Sequence, residues 1–269
     1  MKPTGDFNNR WRRVASTIYR KPVDSKIFGA AELDVTRLEA FINTQRREGI
    51  KITLTHLFVM MVARCIKDEV PQLNVFFRRG KIIPRKSIDA MVSVLQADGG
   101  MGSVIIEDVD KLSLKSLATL LNAKIKASRQ GKESKNMQQK NILSYIPWPI
   151  RQWFFSFYKT LTIQWGFTLP FTRLKANIFG SYVITNIGSI GLDTGYPALL
   201  PSGNMAFVMV LGGVKKKPAV IDDQIAIRRV MSVSVVLDHR LVDASHGGKL
   251  LRYIKTCINN PETLLNNSE

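Results

Sequence analysis

Residues 231–248 read Met231-Ser-Val-Ser-Val-Val-Leu-Asp-His-Arg-Leu-Val-Asp-Ala-Ser-His-Gly-Gly248. Apolar and β-branched residues dominate 231–237, which predicts a strand. That strand delivers His239 to its far end. Asp243 follows four residues later, where a helical pattern begins and runs to about Asn259 before Pro261 stops it. The chain has three histidines, and this one is presented at the mouth of a strand beside a carboxylate. A neutral imidazole so placed is a ready general base near neutral pH.

Upstream of this stretch, strand signals fall at 225–229, 206–211 and 182–185, with turns expected at Gly212-Gly213 and Asp222-Asp223, so the last strands read as antiparallel. In the N-terminal half, a helix capped by Asp34 is expected from Leu33 onward. A second helix, 53–68, is apolar on most faces and should be buried. Short strands follow at 74–77, 82–83, 89–95 and 102–106, with a turn at Arg79-Gly80. A basic helix then runs from Lys111 to about Gln130. Strands and helices mix without internal repeats, which implies one α/β domain over residues 1–269 with an inserted segment at about 131–180.

That insertion changes character. No acidic residue occurs from Ser134 to Leu192, and 145–165 holds three of the four tryptophans. Overall the chain carries 39 Lys+Arg against 21 Asp+Glu, a net +18, a surface that attracts phosphates of a nucleotide cofactor, anionic lipid or nucleic acid. Cys65 and Cys257 lie in amphipathic helical patterns and read as buried free thiols, which fits a reducing, cytoplasmic compartment. The first ten residues lack the apolar stretch of a secretory signal, and no apolar run approaches the roughly 18 residues of a membrane span.

Asp238-His-Arg-Leu-Val-Asp-Ala resembles the Asp-His-Arg-x-x-Asp-Gly signature of the dihydrolipoamide acyltransferases, the catalytic cores of 2-oxoacid dehydrogenase complexes, whose fold is shared by chloramphenicol acetyltransferase. Five further segments sit in family order: Arg12-Arg-Val-Ala-Ser, Ile52-Thr-Leu-Thr-His-Leu-Phe, Pro71-Gln-Leu-Asn-Val-Phe-Phe, Val104-Ile-Ile-Glu-Asp-Val-Asp-Lys-Leu-Ser-Leu, and Val183-Ile-Thr-Asn-Ile-Gly-Ser-Ile-Gly. The resemblance implies a coenzyme A-dependent acyltransferase fold, a mixed sheet flanked by helices. It implies acyl transfer from a coenzyme A thioester to a thiol or hydroxyl, with His239 as base. The family's oxyanion-donating Ser matches Thr185 here, a hydroxyl on a stiffer, branched side chain. The family's second Asp matches Asp243, a support for the geometry, often through an arginine such as Arg12 or Arg13 here. Taken alone, Asp243 also reads as a helix-terminal acid facing the helix dipole. Homotrimers with each active site between two subunits are implied as well.

Three departures bear on that transfer of function. Ala244 replaces the signature Gly, a cost of roughly 1 kcal/mol if the position needs φ > 0 and harmless if it is helical. No lipoyl domain is legible in the chain, so a lipoyl arm would come from elsewhere. The 131–180 segment is longer than its family counterpart; its aromatic and basic residues read either as subunit packing or as an anionic membrane-surface element, giving a membrane-peripheral protein. Nucleic acid is the last choice, since no recognised module surrounds these residues. Lys215-Lys-Lys and the basic helix are candidates for coenzyme A phosphates, with a solvated basic face as the plainer reading. His56 and His246 read as structural, and neither has metal-ligand spacing. The rival from another class is a non-catalytic trimeric scaffold or membrane-binding homologue.

Overall fold

The structure, a computed structural model, describes residues 25–96, 99, 101–130, 147, 150, 153, 156–157, 160–167, 179–199 and 203–265. Its six-stranded sheet is built around β8 (Gln224–Asp238), paired antiparallel with β1 (Lys26–Asp34) on one side and with β7 (Phe207–Ile221) on the other. β7 lies parallel to β6 (Tyr182–Asn186), β6 parallel to β4 (Ala90–Leu95), and β4 antiparallel to β5 (Met101–Ile106), giving the order β1-β8-β7-β6-β4-β5. A separate hairpin, β2 (Val75–Arg78) and β3 (Lys81–Pro84), turns at Arg79-Gly80, both in the left-handed region. The mixed sheet expected from the sequence is borne out.

Strand alternation sorts the faces. Ala90, Val92, Tyr182, Ile184, Phe207, Met209, Val233, Val235 and Leu237 join one core with helices α1 (Thr36–Arg47), α2 (Leu54–Asp68), α3 (Leu114–Arg129) and α4 (Ala244–Asn259). The intervening Met91, Val183 and Val208 form a small cluster with Met205 on the opposite face, and Thr185 shares that face by its two-residue spacing from Val183. α2 is buried continuously from His56 to Ile66, which is why its sequence is apolar all round. The Tyr182 hydroxyl donates to the Val59 carbonyl at 2.6 Å and its ring stacks on Phe207, tying α2 to the sheet. Cys65 and Cys257 are free and buried, and burial pushes their thiols up to about 12 and about 11.

Three local expectations are corrected. Leu33 and Asp34 belong to β1, and α1 begins at Thr36; Asp34 caps from outside by accepting from the Thr36 N–H at 3.0 Å. Gly212-Gly213 is a bulge inside a continuous β7, with the register slipping between Leu211 and Val214. Glycine is required there because a Cβ on Gly212 would lie 1.8 Å from the Asp193 carbonyl oxygen. The strands expected at 225–229 and from Met231 are one strand, β8. The turn at Asp222-Asp223 is where expected, with both residues at positive φ (50° and 60°).

α2 and α4 both start with a capping box closed by a histidine. The Thr53 N–H donates to His56 Nδ1 at 3.2 Å and the Asp243 N–H to His246 Nδ1 at 3.0 Å, so both rings are structural, as expected. His56 is buried, and burial is the chief cause that lowers its pKa from 6.5 to about 4. Because the folded value lies below the unfolded one, this contribution is complete above pH 6.5 and is lost as pH falls toward 4, up to about 3 kcal/mol. His56→Gln keeps an N3 acceptor and removes the titration. Its urea midpoint should therefore fall less than the wild type's between about pH 7 and pH 5; equal falls would contradict this account.

Candidate active site

β8 is held on both sides up to its last residue, so the chain leaves the sheet in a fixed direction. The Asp238 N–H donates to the Ala206 carbonyl at 2.8 Å and the His239 N–H to the Ser25 carbonyl at 2.7 Å. The buried Asp238 carboxylate accepts from the Ser25 hydroxyl at 3.1 Å, and from Arg240 through Nη2 at 2.6 Å, Nε at 3.0 Å and its backbone N–H at 3.0 Å. Burial opposes ionisation of Asp238, and the Arg240 and Ser25 donors overcome it, holding the carboxyl below its ordinary range. The N–H groups of Leu241 and Val242 then donate back to the Asp238 carbonyl. His239 is thus fixed by the residues on either side of it.

The imidazole itself is 56% exposed. Its Nδ1 lies 3.2 Å from the Val242 carbonyl oxygen and 3.3 Å from Asp243 Oδ1. A carbonyl and a carboxylate only accept, so these partners assign the proton to Nδ1 and leave the Nε2 lone pair without a partner among the described residues. Asp243 is the N-cap of α4, and its Oδ1 faces His239 Nδ1. Ala244 is the first helical residue of α4, so it replaces glycine without positive φ.

Thr185 lies on β6, and among the described residues its hydroxyl makes no hydrogen bond. In the ladder Thr185 faces Val210, which faces Ser234. His239 is five residues past Ser234, roughly 16 Å along the strand direction and two strand spacings across. Within one chain, the structure brings Asp243 to His239 and keeps Thr185 away from both. Arg12 and Arg13 lie outside the described residues.

The proposed phosphate-binding lysines are partly engaged. Lys215 pairs with Asp193, Lys217 with Glu32, and Lys124 on α3 donates to the Ile105 carbonyl at 2.6 Å. Two residues the sequence reading passed over matter more. Asn204, at φ 46°, clamps Phe77 by donating to its carbonyl and accepting from its N–H, both at 2.8 Å. The Arg240 guanidinium lies 5.8 Å from the Phe77 ring centroid, so the β2–β3 hairpin is fastened beside His239. Arg240 had a sequence signal, an acid two residues before it; Asn204 had none. In the aromatic segment, Trp153 and Phe157 stack at 5.7 Å and are exposed, whereas Phe154 lies outside the described residues. No helix among the described residues is long and apolar enough to cross a membrane.

The family model for the 2-oxoacid dehydrogenases acyltransferase catalytic domain matches residues 25–143 and 178–266. The lipoamide acyltransferase component of the branched-chain alpha-keto acid dehydrogenase complex of Bacillus subtilis is 26% identical over 83% of this chain and 44% of its own length. The succinyltransferase component of the 2-oxoglutarate dehydrogenase complex of Rickettsia typhi is 24% identical over 96% of this chain and 56% of its own length, so the chain spans about half the length of such relatives. Among solved structures, the cubic core of the pyruvate dehydrogenase multienzyme complex superposes with a TM-score of 0.65 at 17% identity, covering 91% of this chain and 85% of that one. A truncated catalytic core of the 2-oxoacid dehydrogenase multienzyme complex from Thermoplasma acidophilum gives 0.64 at 18%, covering 94% and 96%. The solved structures share the fold, and with the family model matching the sheet, the helices and the His239 loop, the chain belongs to the 2-oxoacid dehydrogenase acyltransferase catalytic-domain family.

Proposed function

We propose that this chain is an acyltransferase that moves an acyl group from a coenzyme A thioester to a thiol or hydroxyl acceptor. The observation that carries the reading is His239, with Nδ1 between two acceptors and Nε2 left open at the strand end. Nε2 takes the proton of the acceptor S–H or O–H as that atom attacks the thioester carbonyl. The imidazolium so formed keeps its Nδ1–H against the Val242 carbonyl and the Asp243 carboxylate. Collapse of the tetrahedral adduct expels the coenzyme A thiolate, and Nε2–H returns the proton to it. The Thr185 hydroxyl donates to the oxyanion.

Thr185 and His239 of one chain are too far apart to share an adduct, so the reading requires two subunits. A homotrimer fits, and the relative whose structure is a cubic core shows that this fold assembles. The relatives named as lipoamide or dihydrolipoyllysine acyltransferases suggest a lipoyl thiol, carried on another domain or chain, as one acceptor. His239→Ala should lower transfer by about 10²-fold or more with the unfolding midpoint unchanged. Thr185→Val should lower kcat more than it changes KM. Mixing the two variants, refolded together, should restore part of the activity, because some interfaces regain both groups. Full activity in His239→Ala would remove His239 as the base, and no transfer by the wild type with any donor would leave the non-catalytic scaffold as the reading; failure of the mixture to recover would remove the shared site. A fully active monomer in light scattering at micromolar concentration would do the same.

A second reading concerns location. Trp153 is 69% exposed and Phe157 51%, in a stretch without acidic residues, which suits insertion into an anionic membrane surface on the cytoplasmic side. Co-sedimentation with phosphatidylglycerol-containing vesicles should be measurable, weaken as salt rises, and disappear in Trp153→Ser/Phe157→Ser. Binding that is absent, or that survives the double substitution, would make these rings a packing surface.

A further inference from the structure

Residues 164–167 of the aromatic segment border a groove next to the β2–β3 hairpin. The Arg79 N–H donates to the Gln164 carbonyl at 2.9 Å and its Nε to the Trp165 carbonyl at 2.8 Å. Gly166, at φ +75°, packs against the Arg78 side chain; a Cβ there would come within 2.7 Å of Arg78 Nε, and the left-handed backbone favours glycine. These contacts fasten the insertion to the β2–β3 hairpin, whose Phe77 is clamped by Asn204 and covered by Arg240, the residue after His239. Between hairpin and insertion runs a groove lined by Phe77, Arg79, Gly80, Gln164, Trp165 and Phe167.

Two features of the groove point to a ligand. The Trp165 and Phe167 rings are nearly parallel, 15° apart with centroids at 6.4 Å, and about half of each is open to solvent. The Arg79 guanidinium sits 5.6 Å from the Phe167 centroid, and among the described residues no carboxylate pairs with it. Arg79 also occupies the first central position of a two-residue hairpin turn at φ 51°, where Asn, Asp or Gly is preferred. An L side chain in the left-handed region costs roughly 1 kcal/mol, a cost glycine avoids. The insertion's share of the groove, Gln164 to Phe167, falls in the gap between the two stretches matched by the family model.

We propose that this groove binds a planar aromatic group that carries negative charge. The ring would lie against Trp165 and Phe167, and the anion would meet the two terminal amino groups of Arg79, whose Nε is held by the Trp165 carbonyl. Two sources share that chemistry: the phosphorylated adenosine of coenzyme A, or an aromatic acid serving as acyl group or acceptor. The binding claim rests on the groove alone; only the choice of source draws on the transferase reading.

Titration calorimetry of the full chain with two unreactive probes tests it: adenosine 3′,5′-bisphosphate and 1-naphthoate. Neither probe holds a thioester, so the outcome is independent of whether His239 catalyses. Binding of the bisphosphate that weakens at least tenfold in both Trp165→Ser and Arg79→Gly assigns the groove to the coenzyme. The same pattern with naphthoate alone assigns it to an aromatic acid. Binding of neither probe, or binding that both variants retain, overturns the proposal. Arg79→Gly should change the thermal midpoint little, since the ease of glycine in that turn offsets the lost Nε bond to the Trp165 carbonyl. A lowered midpoint with undiminished binding would make Arg79 a structural strap and overturn the proposal equally.

Discussion

The structure depends on β8 being hydrogen-bonded along both edges. Residues 230–238 pair with β1 on one side while the same stretch pairs with β7 on the other. Every second side chain there, Met231, Val233, Val235 and Leu237, is driven into the helix-covered core. A slip of one residue would exchange the two faces and take this set out of the helix-covered core, leaving Ser232, Ser234 and Asp238 in its place, so register is set by burial as much as by hydrogen bonds. The direction in which His239 leaves the sheet follows from that register.

The apolar strand could not by itself orient an imidazole. That task falls to a short polar belt at the strand end, in which Asp238 satisfies its carboxylate with Ser25 and Arg240. A buried carboxylate that has lost one such donor is costly, which makes the belt cooperative with the sheet rather than decorative. Arg240 in turn covers Phe77, so the same belt sets the position of the β2–β3 hairpin and of the groove beyond it.

The sequence made the periodic elements legible, because their signal is local. α2, α3, α4, β4 and β6 come within a few residues of the spans read from apolar spacing. β1 escaped notice because Gly29-Ala30-Ala31 has little β propensity; its strand character comes from pairing with residues some 200 positions away. Gly212-Gly213 signals a turn as strongly as a bulge, and only the close approach of the Asp193 carbonyl decides between them. At the site, His239 and Asp243 were readable from their four-residue spacing. The separation of Thr185 from them was not, since it is a property of ladder register. The aromatic richness of residues 145–165 was plain, but the attachment of Gln164, Trp165 and Gly166 to the hairpin depends on backbone geometry that no composition reveals.

Beyond Val230 in one direction and Met231's partner Val214 in the other, the β7–β8 hairpin continues as a two-stranded ribbon with neither β1 nor β6 alongside. On one face of that ribbon Pro218, Val220, Ile225 and Ile227 stand together in solvent, Ile225 being 81% exposed. An unpaired strand edge with an apolar face is a template for unwanted strand addition. At its base Lys215, Lys217, Arg228 and Arg229 pair with Asp193, Glu32, Asp34 and Glu39, so charged side chains rather than apolar ones border the exposed face. The chain's net charge of +18 adds a longer-range repulsion between two such ribbons, and that repulsion weakens as ionic strength rises.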